Sequence, residues 1–180
     1  MGMTQTRSAD HDASAGEARR ATVWTRTPEE TRALGAALAT VADRGDRLAL
    51  IGPLGAGKTQ LAKGFAVGLG VAEVVNSPSF TLMAEYEGRL RLFHQDLYRL
   101  AGTGEALDGG LLDERQTVGV TLSEWAERLD EHLDADRLEV RFTLLGDDER
   151  RIRLVLHGDG NAGYLDAARS WKPETDLVAV

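Results

Sequence analysis

Residues 52–59 read Gly52-Pro53-Leu54-Gly55-Ala56-Gly57-Lys58-Thr59 and match every fixed position of the Walker A pattern G-x-x-x-x-G-K-[ST]. The apolar run Leu48-Ala49-Leu50-Ile51 leads directly into them and predicts a buried parallel strand. After the loop, apolar side chains recur every fourth residue, which predicts a helix from about Gly57 to Gly70. Strand, glycine-rich loop and helix, in that order, are the context in which this pattern forms a phosphate-binding P-loop.

The residue types of the loop suit a nucleoside triphosphate. Glycines allow a tight turn whose backbone N–H groups point inward, and the start of the helix adds positive potential. Lys58 is expected to reach the outer phosphates, and Thr59 carries the hydroxyl that this motif offers to Mg²⁺. The alternative is a glycine-rich turn that binds no phosphate, and the correctly placed strand and helix count against it.

Two acidic residues end candidate neighbouring strands. The alternating segment 89–96 ends on Asp96, and the β-rich segment 118–124 ends on Glu124. Open α/β sheets bind ligands at the carboxyl ends of their parallel strands, so either acid is a candidate metal ligand and the other a candidate to orient the attacking water. For each acid, a surface carboxylate at the end of a strand is an equally simple interpretation.

Hydroxyl side chains cluster in the segment Ser77-Pro78-Ser79-Phe80-Thr81-Leu82. In P-loop proteins the segment after the first helix is where a switch loop senses the outer phosphate, so these hydroxyls are candidate ligands of that phosphate or of a metal-bound water. A turn at the start of a strand is the simpler alternative. His94 is more simply interpreted as a structural hydrogen-bonding histidine, and Trp125 as a packing residue.

The composition restricts the classes of function. A chain of 180 residues with 42% apolar composition favours one domain. The absence of cysteine excludes disulfides and thiolate metal sites, and no apolar run is long enough to cross a bilayer, so no membrane contact and a cytoplasmic location are expected. The net charge is -8 and the basic residues are scattered, so any contact with RNA is expected to run through a partner.

Three ranges describe the organisation of the chain. Residues 1–20 have no apolar periodicity and predict a disordered extension. Residues 21–158 are the predicted P-loop domain. Residues 159–180 form a weakly patterned tail, in which packing on the domain is favoured over docking on a partner as the role of Trp171.

The remaining segments predict the shape of the domain. Thr27-Pro28-Glu29-Glu30 is a capping box, which predicts a helix that extends to Asp43 and has one side exposed to solvent. Residues 101–117 predict a mobile loop with a short helix beside the active site or an interface. Apolar residues alternate in 138–144 and 152–156 and predict a C-terminal hairpin. Together these patterns predict an α/β fold whose mainly parallel central sheet has helices on both faces and is extended by antiparallel strands.

Four motifs occur in a fixed order: GPLGAGKT at 52–59, SPSFTL at 77–82, HQDLYRL at 94–100 and SEW at 123–125. From about Thr27 to His157 this combination resembles the bacterial TsaE (YjeE) family of P-loop NTPases. That family is the ATPase subunit of the machinery that makes threonylcarbamoyladenosine beside the tRNA anticodon. The resemblance implies ATP and Mg²⁺ as cofactors and a complex with TsaB-like and TsaD-like subunits, with tRNA contacted only indirectly.

The resemblance also implies roles for single residues. Thr59 and Glu124 would ligate Mg²⁺, Asp96 would serve the metal-bound or attacking water, and Lys58, Asp96 and Glu124 would be the catalytic set. The family's Ser-Pro-Thr switch corresponds to Ser77-Pro78-Ser79, so serine replaces threonine. The residues expected to contact the ATP phosphates are Gly55, Ala56, Gly57, Lys58, Thr59, Gln60, Ser77 and Ser79, and weaker candidates for adenine contacts are Thr27, Pro28 and Arg150.

Three classes of function are compatible with these motifs. The favoured one is an ATPase that drives or resets a tRNA-modifying complex; no arginine is evidently placed as a finger, so we expect it to be slow alone and activated by partners. A small-molecule kinase is the first alternative, but its cationic lid would have only Arg115 within 101–119. A GTPase-like switch is the second, and the lack of an Asn-Lys-x-Asp pattern counts against GTP while leaving an ATP-sensing assembly factor open.

Overall fold

The structure, a computed structural model, describes residues 19–111, 113–130 and 135–173, with the side chain of Arg115 outside the description. Nearly all of the predicted extension, residues 1–20, therefore lies outside the described residues. The strands are β1 Arg20–Thr25, β2 Arg47–Ile51, β3 Met83–Tyr86, β4 Leu92–Asp96, β5 Val120–Glu124, β6 Arg137–Leu144 and β7 Arg150–His157. The helices are α1 Pro28–Ala39, α2 Lys58–Gly68, α3 Thr103–Asp108 and α4 Gly163–Ser170, with short 3₁₀ helices at Glu114–Val118 and Ala126–Arg128.

The strands form one mixed sheet in the order β1-β7-β6-β2-β5-β4-β3. The four central strands, β6, β2, β5 and β4, are parallel, whereas β1, β7 and β3 pair antiparallel with their neighbours. This arrangement confirms the predicted mixed α/β sheet, and β6 and β7 form the predicted hairpin. Parallel pairing brings the carboxyl ends of β2, β4 and β5 to one edge, where Glu124 is the register partner of both Leu50 and Asp96.

The main core lies between the sheet and the helices α1, α2 and α4. Leu48 and Leu50 of β2 and Phe65 of α2 are almost fully buried in it. On the other face, residues 97–111 and 113–118 cover β4 and β5, where Ser123 donates a hydrogen bond to Gln95 at 2.9 Å and Gln95 donates to the Leu111 carbonyl at 2.7 Å. None of the described helices is long and apolar enough to cross a membrane.

Two elements differ from the expectations for the ends of the chain. Helix α1 has the predicted Thr27 cap, whose hydroxyl accepts the Glu30 amide at 3.0 Å, but it ends at Ala39 rather than at Asp43. In the predicted tail, α4 packs on the main core and buries Tyr164. The Tyr164 hydroxyl donates to Asp46 at 2.7 Å, and burial together with this carboxylate raises the pKa of the phenol. The tail thus supports the amino end of β2, which leads into the glycine-rich loop.

Two glycines let α1 and α2 approach to backbone contact. A Cβ at Gly35 would lie 2.2 Å from the Leu61 carbonyl oxygen, and one at Gly64 would lie 1.8 Å from the Arg32 carbonyl oxygen. Because the obstructing atoms belong to the backbone, alanine at either position requires the helices to separate. The sequence shows the glycines but not this contact, which holds the helix that follows the loop against the rest of the domain.

Replacing Gly64 by alanine is expected to lower the free energy of unfolding by about 2 kcal/mol, because the backbone clash outweighs the roughly 1 kcal/mol by which alanine favours a helix. Urea unfolding followed by circular dichroism measures the change. Gly104→Ala is the matched control, since a Cβ at this helical glycine meets nothing within 4 Å. A Gly64→Ala protein as stable as the control would show that the helices tolerate the added methyl group.

Candidate functional site

A cavity of about 490 Å³ opens at the carboxyl edge of β2, β4 and β5. The glycine-rich loop, the Ser77–Leu82 segment and the residues that follow β4 and β5 form its walls. Ten of the predicted site residues meet there, from all four motifs and from Gln60, which directly follows the first motif. The lining residues are Leu54, Gly55, Ala56, Gly57, Lys58, Thr59, Gln60, Ser77, Ser79, Asp96, Tyr98, Arg99, Glu124 and Trp125.

The backbone of the loop explains its glycines. Gly55 and Gly57 have φ angles of 75° and 103°, in the region that only glycine adopts without strain. Helix α2 begins at Lys58, directly after Gly57, so its first N–H groups open onto the cavity. Unpaired N–H groups and the positive end of a helix dipole favour an anion at this place.

The ammonium group of Lys58 is held inside the loop. Its Nζ donates to the carbonyl oxygens of Gly52 at 2.6 Å and Pro53 at 2.9 Å, and it lies 3.7 Å from the centroid of the Trp125 ring. Burial lowers the pKa of Lys58, while the negative charges of Glu124 and other nearby acids oppose that shift. Since the groups that hold the ammonium are neutral, a phosphate oxygen would be a stronger partner than any of them.

Thr59 and Glu124 form a pair of oxygen ligands. The Thr59 hydroxyl donates to Glu124 Oε2 at 2.8 Å, and the other oxygen, Oε1, lies 2.9 Å from His94 Nε2. Because a carboxylate only accepts, Nε2 carries the proton of that bond. His94 is fully buried and Glu124 is 2% exposed, so the histidine fixes the carboxylate toward Thr59. This result confirms His94 as a hydrogen-bonding residue and places it behind the site.

The oxygen pair fits a hard cation. Mg²⁺ prefers oxygen ligands and usually takes one or two carboxylates, with phosphate oxygens and waters in the other positions. Within residues 19–111, 113–130 and 135–173 no group of three or more His, Cys, Asp or Glu side chains is arranged to hold a metal. A hydroxyl and one carboxylate beside the glycine-rich loop are oxygen ligands of the kind that Mg²⁺ takes.

Asp96 is bound by the hydroxyl segment. Its Oδ2 accepts hydrogen bonds from Ser77 and, at 2.7 Å, from Ser79, and its Oδ1 accepts the Tyr98 amide at 3.0 Å. Burial alone would raise the pKa of Asp96, but the three hydrogen bonds together lower it below the ordinary value. The carboxylate is therefore ionised at neutral pH and acts as a hydrogen-bond acceptor. The two serines predicted to contact a phosphate line the cavity and donate hydrogen bonds to this acid, and their role toward a phosphate stays a prediction.

The family model described as "Threonylcarbamoyl adenosine biosynthesis protein TsaE" matches residues 25–152. This chain belongs to the TsaE family. The "tRNA threonylcarbamoyladenosine biosynthesis protein TsaE" of Bacillus subtilis is 46% identical over 133 residues, which cover 73% of this chain and 83% of that protein. The protein of the same name from Treponema pallidum is 38% identical over 130 residues, covering 72% and 96% of the two chains. The resemblance seen in the four motifs is thereby confirmed.

A solved structure has the same fold. The crystal structure of Bacillus subtilis YdiB superimposes with a TM-score of 0.68 at 39% sequence identity, and the match covers 83% of this chain and 92% of YdiB. The shared part includes most of the described sheet and helices. The cavity is therefore built on a framework that YdiB shares.

The cavity also contains residues to which sequence analysis gave no role or only a packing role. The chain turns after Asp96 and brings Arg99 to the cavity wall, where its guanidinium carbon lies 4.2 Å from the centroid of the Phe80 ring. Phe80 is 84% exposed. The sequence placed no motif arginine evidently as a finger, but Arg99 of the HQDLYRL motif lines the cavity. Only its position three residues after Asp96 signalled this in the sequence.

Trp125 does more than pack. Its φ angle is 60°, a left-handed conformation that turns the chain sharply after Glu124 and directs the indole ring into the cavity wall. The ring contacts the Lys58 ammonium and lies 4.9 Å from the Tyr98 ring, centroid to centroid. Glu124 thus supplies a carboxylate of the kind that binds metals, and Trp125 supplies an aromatic ring that contacts the Lys58 ammonium.

Three predicted contacts to adenine lie outside the cavity lining. Thr27 and Pro28 start helix α1, and Arg150 starts β7, where it pairs with Thr25. The Nη1 atom of Arg150 is buried and has no hydrogen-bond partner among the described residues. The three residues lie near one another at one end of β1, but the structure does not join them to the cavity. Their role in binding a base stays a prediction.

Proposed function

We propose that this chain binds ATP with Mg²⁺ in the cavity and hydrolyses it during the biosynthesis of threonylcarbamoyladenosine on tRNA. The observation that carries the proposal is the convergence of Lys58, Thr59, Asp96 and Glu124 on one cavity at the start of α2. The family description and the names of the relatives support the pathway. In this role, hydrolysis would drive or reset a complex with TsaB-like and TsaD-like proteins.

Each side chain has a role that follows from its surroundings. The backbone N–H groups of the loop and the Lys58 ammonium would bind the phosphate oxygens, and Thr59 with Glu124 would hold Mg²⁺. The metal would neutralise charge on the β- and γ-phosphates. Asp96 would accept a hydrogen bond from the water that attacks the γ-phosphorus, while the bond from that phosphorus to the bridging oxygen breaks and ADP leaves.

The position of Arg99 favours slow turnover in the isolated chain. Its guanidinium stacks on Phe80 and makes no hydrogen bond or ion pair with any described residue. A guanidinium that neutralises the transferring phosphoryl group accelerates hydrolysis by about 10³–10⁵. The guanidinium of Arg99 lines the cavity, but its contact with the exposed Phe80 ring holds it in place. A protein that docks over this ring can change that contact.

Adding the TsaB-like and TsaD-like proteins is expected to raise ATP turnover by about 10³ or more. Phosphate release measures the effect in three samples. They are the chain alone, the chain with the partners, and the Lys58→Ala variant with the partners. A pull-down with ATP against a non-hydrolysable analogue checks that the association depends on the nucleotide. Full turnover by the isolated chain would contradict activation by partners, and no turnover under any condition would contradict the proposed ATPase.

The small-molecule kinase is less well supported. In such enzymes a lid closes over the phosphates and supplies positive charge. The described part of residues 101–119 instead packs on the sheet, where Gln116 donates to the Leu111 carbonyl at 3.0 Å, and none of it lines the cavity. The arginine that does line the cavity, Arg99, comes from the HQDLYRL motif that contains the end of β4.

A further inference from the structure

Arginines cluster on the face of β6 and β7 that is turned away from the main helices. In β7, Ile152 and Leu154 are buried in the main core, so the alternating residues Arg151 and Arg153 project from the opposite face and are exposed. The same alternation exposes Arg141 in β6. The basic residues look scattered in the sequence because the strands that carry them are separate; the sheet brings them together.

The strand register makes this cluster continuous with an exposed aromatic ring. Arg141 of β6 is the register partner of Arg153, and Trp24 of β1 is the register partner of Arg151. Trp24 is 50% exposed. Thr22, exposed as well, lies opposite Arg153. We refer to Trp24, Arg141, Arg151 and Arg153 as the arginine face.

The arginine face is positive on a chain whose net charge is -8. Acids offset the charge at the Arg141 end: Glu139 of β6 lies 3.0 Å from Arg141, and the exposed Glu127 and Asp130 line a cavity with it. The uncompensated positive charge is therefore that of Arg151 and Arg153. Arg151 and Arg153 form no ion pair with the described part of the chain. Like charges directly opposite each other, as in Arg141 and Arg153, destabilise a sheet. An anion placed between them would remove that cost.

We infer that the arginine face binds unpaired RNA. Guanidinium groups bind phosphates through two parallel hydrogen bonds, and an exposed indole ring offers a surface on which a base stacks. A sheet face that combines cations with an aromatic ring is a recurring platform for single-stranded RNA. The inference rests on the proposed function only for the choice of RNA as the polyanion, since the contact needs neither ATP nor the cavity. It differs from the expectation that RNA is reached only through partners, and the experiment below decides between the two.

Fluorescence anisotropy of labelled oligouridine with the full chain tests the inference. The double variant Arg151→Glu/Arg153→Glu is expected to bind about tenfold or more weakly and to flatten the salt dependence by about 0.7 per lost phosphate contact. Glutamate at position 153 would face Arg141, an opposite charge, so the fold should persist. Arg44→Glu/Arg91→Glu is the matched control, because both arginines are exposed and the change in net charge is the same.

A second measurement isolates stacking from charge. Trp24→Ala is expected to weaken oligouridine binding about tenfold. Quenching of tryptophan fluorescence by oligouridine should be lost in Trp24→Phe although Trp125 and Trp171 remain. Both results support the inference. An unchanged affinity or unchanged quenching in these variants would overturn base stacking on this face.

The other outcomes distinguish RNA from an acidic protein as the ligand of the arginine face. They also distinguish failure of this inference from failure of the proposed ATPase. Equal affinities of the two double variants would overturn the inference, and so would an arginine face that binds polyglutamate but not oligouridine, which would indicate an acidic protein. A wild-type chain that hydrolyses ATP but binds no oligouridine would overturn this inference alone. A chain that binds oligouridine at the arginine face but never hydrolyses ATP would support it and contradict only the proposed ATPase.

Discussion

Replacing Lys58 by alanine is expected to lower ATP turnover of the partner-activated chain by about 10²–10³. Lys58 supplies the ammonium group of the cavity and is 4% exposed, so water cannot replace its interaction with a phosphate. The substitution also removes the contacts to Gly52, Pro53 and Trp125 that order the empty loop. Steady-state phosphate release and ATP affinity by calorimetry measure the two parts of the loss.

Lys63→Ala is the matched control for this prediction. Lys63 is in the same helix and carries the same charge, but it does not line the cavity. Its variant should hydrolyse ATP at the wild-type rate and unfold at a similar temperature. Normal turnover in Lys58→Ala would remove the proposal that the glycine-rich loop is the site of ATP hydrolysis.

Local patterns in the sequence predicted the elements that their own residues specify. The capping box at Thr27 starts α1, the apolar run 48–51 is β2, and the alternation in 138–144 continues through the β6–β7 hairpin. Helix α4 escaped prediction because it is short and its burial depends on distant partners. Tyr164, for example, is held by Asp46, which lies more than a hundred residues earlier in the chain. No local pattern records such a contact.

The sequence predicted which strands and loops form the candidate site, but not which of their side chains contact each other. Strand ends identified Asp96 and Glu124, since parallel strands bring their carboxyl ends together. The residues alone did not show which acid faces Thr59, because that depends on how α2 sits against β5. The structure pairs Thr59 with Glu124, whereas Asp96 is held by the Ser77–Leu82 segment. The roles that the family resemblance implied for the two acids stay predictions.

The side chains whose positions in the cavity were not predicted are those that depend on an irregular backbone. Trp125 reaches Lys58 only because its own φ angle is positive, and Arg99 reaches the cavity through the turn after Asp96. The arginine face illustrates the same limit at longer range. Arg141 and Arg153 become neighbours through hairpin register, which a charge count along the chain does not reveal.

Replacing Glu124 by glutamine is expected to abolish the Mg²⁺ dependence of ATP binding and to lower turnover on the order of 100-fold. Glutamine keeps the shape and can still accept the Thr59 hydrogen bond, so the loss would reflect the charge. Asp96→Asn is expected to lower turnover while leaving Mg²⁺-dependent affinity intact, because the role proposed for Asp96 is to serve the attacking water. Titrations of ATP with and without Mg²⁺, and turnover at saturating ATP, measure both effects.

The Glu127→Gln variant is the control that distinguishes the loss of a metal ligand from the loss of a nearby negative charge. Glu127 is exposed and close enough to raise the pKa of Lys58, but it does not line the cavity. Its variant should keep both the affinity and the turnover of the wild type. If Glu124→Gln behaves like this control while Asp96→Asn loses the response to Mg²⁺, the metal contact belongs to Asp96. The hydrogen bond that the Thr59 hydroxyl donates to Glu124 would then hold only the loop, and the Ser77–Leu82 segment would contact a metal ligand.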